Sequence, residues 1–404
     1  MSDSILGRVA LGYSPMVDRQ RVVAATRLTV FPLAPGAPLD AAGLLAEVAT
    51  VWPDGGGRVS LNVLSEGLLH DLLEARPSEN LMLEVPAFMA SDPAHVDAIR
   101  MLHARGNTLL IKGRPLRELP REVLPCFKQS IIDLADDRRV NDPHPPSGVT
   151  RSIGYVQSGV RTVADMEGAF ARGATAVLGW PMDDAIAQAA GQAGGAGAKN
   201  AGATDMQVIV ELIHRVDQAE PIDKLEATLR RDPTLAFKLM RYINSPAFGL
   251  SVEISSFGHA IMLLGYNRLK RWLALLLATA GKDPNLKPVM FAAVRRGMLM
   301  EELVRHLGDD EMRNELFICG VFSLLDRMFK QPFSELLQSI PVPERVFQAL
   351  AEGRGPYEPY CKLVEAIEGD ELEPIREACE RLITGHADIN RALLKALAKA
   401  AQID

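Results

Sequence analysis

Residues 225–249 read LEATLRRDPTLAFKLMRYINSPAFG, and residues 255–277 read SSFGHAIMLLGYNRLKRWLALLL. Leu225 and Leu229 share one helical stripe. Asp232 then caps a new start at Pro233, where a missing N–H costs nothing. Leu235, Leu239, Met240 and Ile243 recur at helical spacing, and Asn244-Ser245-Pro246 ends that helix. A third helix is expected from Ser255 or Ser256, burying Ile261, Leu263 and Leu264 and stopping at Gly265. A fourth follows Asn267 and carries Leu269, Trp272, Leu273 and Leu276. Four short helices in succession predict a compact all-α bundle.

The run Arg231-Asp232-Pro233-Thr234-Leu235, then Leu239-Met240-Arg241-Tyr242-Ile243-Asn244-Ser245, Ser255-Ser256, Ala260-Ile261 and Leu264-Gly265, resembles the HDOD family of HD-related output domains in bacterial signalling proteins. Asp232, Pro233, Asn244, Ser245 and Gly265 carry the motif. The resemblance implies an all-helical domain that regulates or docks other proteins, without catalytic activity of its own. Helical patterns continue downstream, from Pro288 to the closing Gly308, through Leu316–Leu325, and on to Ala401.

With 404 residues the chain exceeds a comfortable single core, so two domains are expected. A net charge of -7 argues against a general phosphate-binding surface, and nucleic acid is not an expected partner. The four cysteines, Cys126, Cys319, Cys361 and Cys379, form neither a CxxC pair nor a disulfide framework, which suits a reduced compartment. No signal peptide and no membrane-length apolar run is read, so the expected location is cytoplasmic, with no membrane partner.

From Leu6 to Met182 short apolar strands alternate with amphipathic helices. Strands are expected at Val22–Phe31, Arg58–Val63, Leu81–Val85, Thr108–Ile111, Ser130–Leu134, Ser152–Val156 and Ala176–Leu178. Helices are expected at Asp40–Val51, Ser65–Ala75, Pro93–Arg105 and Val163–Arg172. This alternation argues an α/β domain on a largely parallel sheet. Tyr13-Ser14-Pro15-Met16-Val17-Asp18 with Arg21-Val22-Val23, then Leu61-Asn62-Val63, Leu81-Met82-Leu83-Glu84-Val85, Gly159-Val160 and Leu178-Gly179 near Pro181, resemble in order the EAL-type cyclic di-GMP phosphodiesterase domains. That family's fold is a TIM-like barrel with its site at the C-terminal strand ends. Here it would be short, with barrel helices trimmed, since the Asp136–Thr150 loop has no room for a full helix.

The expected architecture is therefore α/β plus all-α: a short, degenerate EAL-type β/α barrel over 1–186, a flexible Ala/Gly-rich linker over 187–205, and an HDOD domain over 206–404. Five glycines among the linker's alanines oppose a stable helix there.

The EAL resemblance also implies two divalent metals held by carboxylates, which activate water against the diester. Set against that pattern, Asn62, Glu84 and Asp133 are retained. Thr26 stands at the carboxylate of Glu-x-Leu, Lys112 with Gly113 at an aspartate pair, Ile131 at the catalytic lysine, Ser158 and Arg161 at two glutamates, and Leu178 at a glutamine. Arg27, Lys112 and Arg161 would add positive charge to a site built for cations. In the helical domain, Ser323-Leu324 stands where the HD family has His-Asp, leaving Asp326 alone. His214, His259 and His306 are scattered, at no metal-ligand spacing. Arg268, Lys270 and Arg271 beside Trp272, and likewise Arg295 and Arg296, read as solvated helix faces.

The expectation is accordingly a non-catalytic signalling regulator, not an enzyme, with no catalytic, metal or cofactor-binding residues and no cofactor. It would act through other signalling proteins in cyclic di-GMP-linked control of motility, biofilm formation or virulence, without itself binding the dinucleotide. The alternatives are a cyclic di-GMP phosphodiesterase with an altered site, or a receptor for that dinucleotide.

Overall fold

A computed structural model describes residues 4–53, 57–115, 117–137, 140, 153–183, 202–229, 257–279 and 283–401. Its contacts divide the chain into two units, Met1–Asp184 with Leu363–Leu394, and Ala185–Lys362 with Lys395–Asp404. Residues 363–394, placed by sequence in the HDOD domain, thus cluster with the N-terminal unit. Most of the expected linker lies outside the described residues, and its last residues already belong to a helix, Gly202–Asp217.

The first unit is a closed eight-stranded barrel: β1 (Val9–Asp18), β2 (Val23–Pro32), β3 (Val59–Val63), β4 (Leu81–Pro86), β5 (Thr108–Lys112), β6 (Phe127–Asp133), β7 (Gly154–Ser158) and β8 (Ala176–Leu178). β1 runs antiparallel to both β2 and β8, and the other neighbours pair in parallel. Seven of these strands match the sequence reading to within a few residues, and β1 is an addition to it. Gly12 and Pro15 obscured it, since both weaken a strand signal.

Helices α1 (Ala41–Val51), α2 (Glu66–Glu74), α3 (Ala87–Ala90), α4 (Val96–Ala104) and α5 (Val163–Ala171) lie between the strands. Their starts follow from capping. Asp40 accepts from the Gly43 amide at 2.9 Å, Ser65 from Leu68 at 3.4 Å, and Thr162 and Asp165 form a reciprocal capping box. The β5–β6 connection has a 3₁₀ turn at Leu124–Cys126 and no α-helix among its described residues, while most of the 136–150 loop, where trimming is expected, lies outside the described residues.

Strand parity sorts the barrel interior into layers. Met16, Ala25, Met82, Leu110, Ile131, Val156, Ala176 and Leu178 form one apolar cluster inside. Two positions where the EAL pattern wants polar groups, Ile131 and Leu178, therefore fill the core. Along the same inward rows, one step nearer the C-terminal strand ends, come Arg27, Asn62, Glu84, Lys112, Asp133 and Ser158.

The second unit contains α6 (Gly202–Asp217), α7 (Ile222–Leu229), α8 (Phe257–Thr279), α9 (Lys287–Leu303), α10 (Asp310–Phe322), α11 (Leu325–Phe329), α12 (Phe333–Ser339) and α13 (Glu344–Ala351). The chain then enters α14 (Glu358–Ile367), α15 (Leu372–Leu382) and α16 (His386–Ala400). Leu225, Leu229, Ile261, Leu269, Trp272, Leu273 and Leu276 are buried, as their stripes require. Within α8, Gly265 has φ 69° and ψ 167°, so two helices meet there at a kink, where the sequence placed a stop. The helix expected over 233–243, with Asp232, Pro233, Asn244 and Ser245, lies outside the described residues.

α9 and α10 cross closely at Gly297 and Gly320. A Cβ on Gly320 would lie 2.6 Å from the Arg296 backbone, and one on Gly297 would lie 2.5 Å from Val321 Cγ2. The reading of Arg295 and Arg296 as a solvated face is corrected here, because both are buried. Arg295 folds over the Phe291 ring at 3.2 Å and Arg296 reaches Ser323. Arg295 Nη1 also donates to the Phe291 carbonyl, so both buried heads are hydrogen-bonded, a placement that periodicity alone does not distinguish from solvent.

Candidate functional site: the barrel mouth

At the C-terminal strand ends β2 and β4 contribute an ion pair. Arg27 donates from Nε to Glu84 Oε1 at 2.8 Å and from Nη2 to Oε2 at 2.7 Å. Arg27 is 6% and Glu84 1% exposed, so the fork is shielded from water. Ser60 donates a further hydrogen bond to Glu84 Oε1 at 3.0 Å. Burial opposes the Arg27 charge, yet the Glu84 carboxylate, helped by Asp370 and Asp133, holds the guanidinium above its ordinary range.

β5 brings Lys112 beside this pair. Its Nζ donates to Asn62 Oδ1 at 2.7 Å, and Asn62 Nδ2 donates to Thr29 Oγ1 at 3.2 Å. Burial, then repulsion from Arg27, pulls the Lys112 ammonium below the usual lysine range, against the attraction of Glu84, Asp370 and Asp133. On the far side, Ser158 donates to Asp133 Oδ2 at 3.1 Å, and the Ala135 amide donates to Oδ1 at 3.0 Å.

Of the positions singled out in the sequence, Asn62, Glu84, Lys112, Asp133 and Ser158 come together at this mouth. Thr26 does not: parity turns it to the opposite face and puts Arg27 inside, a one-residue difference that a pattern of short residues leaves ambiguous. Arg161 stands largely exposed and pairs with Asp183 at 2.9 Å. Ile131 and Leu178 lie in the apolar layer. Sequence reasoning missed Ser60, Thr29 and above all Asp370, whose Oδ1 lies 3.9 Å from Arg27 Nη1. Nothing local marks Asp370, since its relation to the barrel spans most of the chain.

The metals of the EAL family do not fit these groups as arranged. Glu84 is committed to Arg27 and Ser60, Asn62 to Lys112, and two cations stand among the oxygens a metal would need. Among the described residues no three His, Cys, Asp or Glu side chains gather as a metal group. What the arrangement offers chemically is positive charge for a phosphate, carboxylates alongside, and a lysine biased toward giving up its proton.

The corresponding place in the helical unit is also cationic. Arg296 Nη1 donates to Ser323 Oγ at 3.0 Å, and Ser323 Oγ donates to the Gly320 carbonyl at 2.7 Å. Burial pushes the Asp326 carboxyl up, partly countered by Arg327 and Arg296. His214 and His306 lie on exposed positions, and the His259 side chain is outside the described ones. Near Trp272, Arg271 pairs with Glu301 at 2.5 Å and Lys270 with Asp217, while Arg268 stays exposed.

The HDOD domain family matches residues 203–331. The chain contains an HDOD domain. An eight-stranded barrel ahead of that domain fits an EAL–HDOD organisation. Among curated proteins, the chain is 26% identical over 191 residues to "Cyclic di-GMP phosphodiesterase CdgJ" of Vibrio cholerae serotype O1, covering 47% of this chain and 44% of that protein. It is 29% identical over 177 residues to "Uncharacterized protein YuxH" of Bacillus subtilis strain 168, covering 43% of each. The chain thus spans less than half the length of these relatives. Among solved structures, the cGMP-bound form of the EAL enzyme Bd1971 is 14% identical, covering 43% of this chain and 60% of that one, with a TM-score of 0.34.

The expectation that the chain is not an enzyme is overturned by the Vibrio cholerae relative, which bears the name of a phosphodiesterase. That expectation rested on reading lost metal ligands as lost chemistry. No helix of the described residues is long and apolar enough to cross a membrane.

Proposed function

We propose that this chain works in cyclic di-GMP signalling as an altered-site phosphodiesterase, with the barrel mouth taking the dinucleotide through cationic side chains. The observation that carries the reading is the placing of Lys112 and Arg27 on the inward rows at the C-terminal strand ends, with Asp133 alongside. Lys112 is half-buried and meets the phosphate first, and Arg27 lies deeper. A lysine whose proton is held weakly suits donation to a leaving ribose oxygen, and Asp133 is the carboxylate that accepts a proton from water. The name of the Vibrio cholerae relative supports the same substrate. The HDOD domain, on this proposal, docks other signalling proteins, as the family resemblance implies.

The test is equilibrium binding of cyclic di-GMP together with separation of linear from cyclic dinucleotide after long incubation. Binding and linear product, both lost in Lys112→Ala, are expected. Binding without product reduces the barrel to a receptor, and absence of binding overturns the reading.

A further inference from the structure

The turn Glu368–Gly369–Asp370, which joins α14 to α15 in the first unit, is built into the barrel rim. Tyr13 Oη donates to Glu368 Oε1 at 3.1 Å, a buried bond, and Trp180 Nε1 donates to the Glu368 carbonyl at 2.9 Å. The Tyr13 and Trp180 rings meet edge to face at 5.5 Å, so the two donors support one another. Gly12 completes the seat, since a Cβ there would lie 3.0 Å from the Ile367 carbonyl oxygen and 3.5 Å from that of Gly369. Anchored from β1 and from the residue that follows β8 by two positions, the turn has little freedom to choose where its next side chain goes.

That side chain is Asp370. Glu84 takes Nε and Nη2 of Arg27, and Asp370 Oδ1 approaches the remaining nitrogen, Nη1, at 3.9 Å. The Asp370 side chain is 76% exposed, so its carboxylate faces both the guanidinium and water. An anion in that position occupies the approach a phosphate would use. Counting the mouth groups named above, Arg27 and Lys112 face Glu84, Asp133 and Asp370, and Asp370 is the carboxylate that comes from outside the barrel strands.

We infer that Asp370 is a built-in competitor for the phosphate of cyclic di-GMP, which the ligand displaces to reach Arg27. The inference rests on the reading of the mouth as a cyclic di-GMP site. At 3.9 Å and with the Asp370 carboxylate largely in water, this second contact is far weaker than the buried fork to Glu84, which is what a displaceable competitor requires. The pinned backbone keeps its carboxylate at hand when the site empties.

The experiment titrates the full-length protein with cyclic di-GMP at low and high salt, for the native chain, Asp370→Asn and Glu371→Gln, the last being an exposed neighbour that caps nothing. Asp370→Asn is expected to bind about two- to five-fold tighter at low salt, the span of an exposed ion pair, with the gain shrinking at high salt. Glu371→Gln is expected to bind as the native chain does. Equal affinity of the native chain and Asp370→Asn at low salt overturns the competitor and leaves the cyclic di-GMP site standing, as does an equal gain in Glu371→Gln, which marks a general charge effect. Absence of binding in all three chains removes the site and the competitor together.

Discussion

Arg27 and Glu84 sit on strands separated by β3, yet their side chains close a two-bonded fork inside the barrel at 2.7 and 2.8 Å. Removing one partner leaves a charge that burial penalises. Arg27→Ala is expected to cost about 3–5 kcal/mol in stability, read as a lowered urea midpoint of the barrel transition. Arg27→Leu combined with Glu84→Leu is expected to cost clearly less than either single change to alanine, because no unpaired charge remains. Additive losses in the double variant would show that packing, not charge, dominates.

Asn390 ties α16 to the barrel by accepting from the Leu11 amide at 3.0 Å and donating to the Leu6 and Val9 carbonyls at 2.8 Å each. It is buried, so alanine strands three backbone groups away from water. Asn390→Ala is expected to destabilise the first unit by at least ~2 kcal/mol. Hydrogen exchange at Leu11 is the local measurement, and unchanged protection there would refute the role.

Lys112 loses its proton at lower pH in the folded chain than in the unfolded one, since burial and Arg27 disfavour its charge. Between the lowered value and the ordinary lysine value the unfolded chain holds more protons, so stability rises with pH across that window. Affinity for cyclic di-GMP runs the other way, because the amine that meets the phosphate becomes neutral. Binding is expected to weaken on raising pH below the ordinary lysine range, and Lys112→Arg is expected to remove that dependence. A flat native profile over the same span would contradict it.

Gly320 lets α10 pass against the backbone of α9, with 2.6 Å between its would-be Cβ and the Arg296 carbonyl group. Backbone cannot move aside as a side-chain tip does. Gly320→Ala is expected to cost about 1–3 kcal/mol through overpacking. Loss of the Arg296–Ser323 hydrogen bond should accompany it, visible as faster exchange or altered arginine side-chain resonances.

How much of this was legible beforehand follows from the range of each interaction. The sequence alone determined seven of the barrel strands, the helix starts near Asp40, Ser65 and Val163, and the break at Gly265, because period-2 and period-3.6 burial are decided within a few residues. The order of the EAL-like motifs implied a common place for Asn62, Glu84 and Lys112, and the structure brings their side chains together at the barrel mouth. Only the tertiary structure decided that Arg27 and not Thr26 faces inward, since a strand's parity is set by its partners across the barrel and a slip of one residue exchanges the faces. β1 escaped because Gly12 and Pro15 serve a close approach and a barrel seam, and not strand propensity. The seating of residues 363–394 with the barrel was out of reach for the same reason: Tyr13 meets Glu368 across 355 positions and Leu11 meets Asn390 across 379, and no local pattern encodes a hydrogen bond whose partner the fold alone brings near.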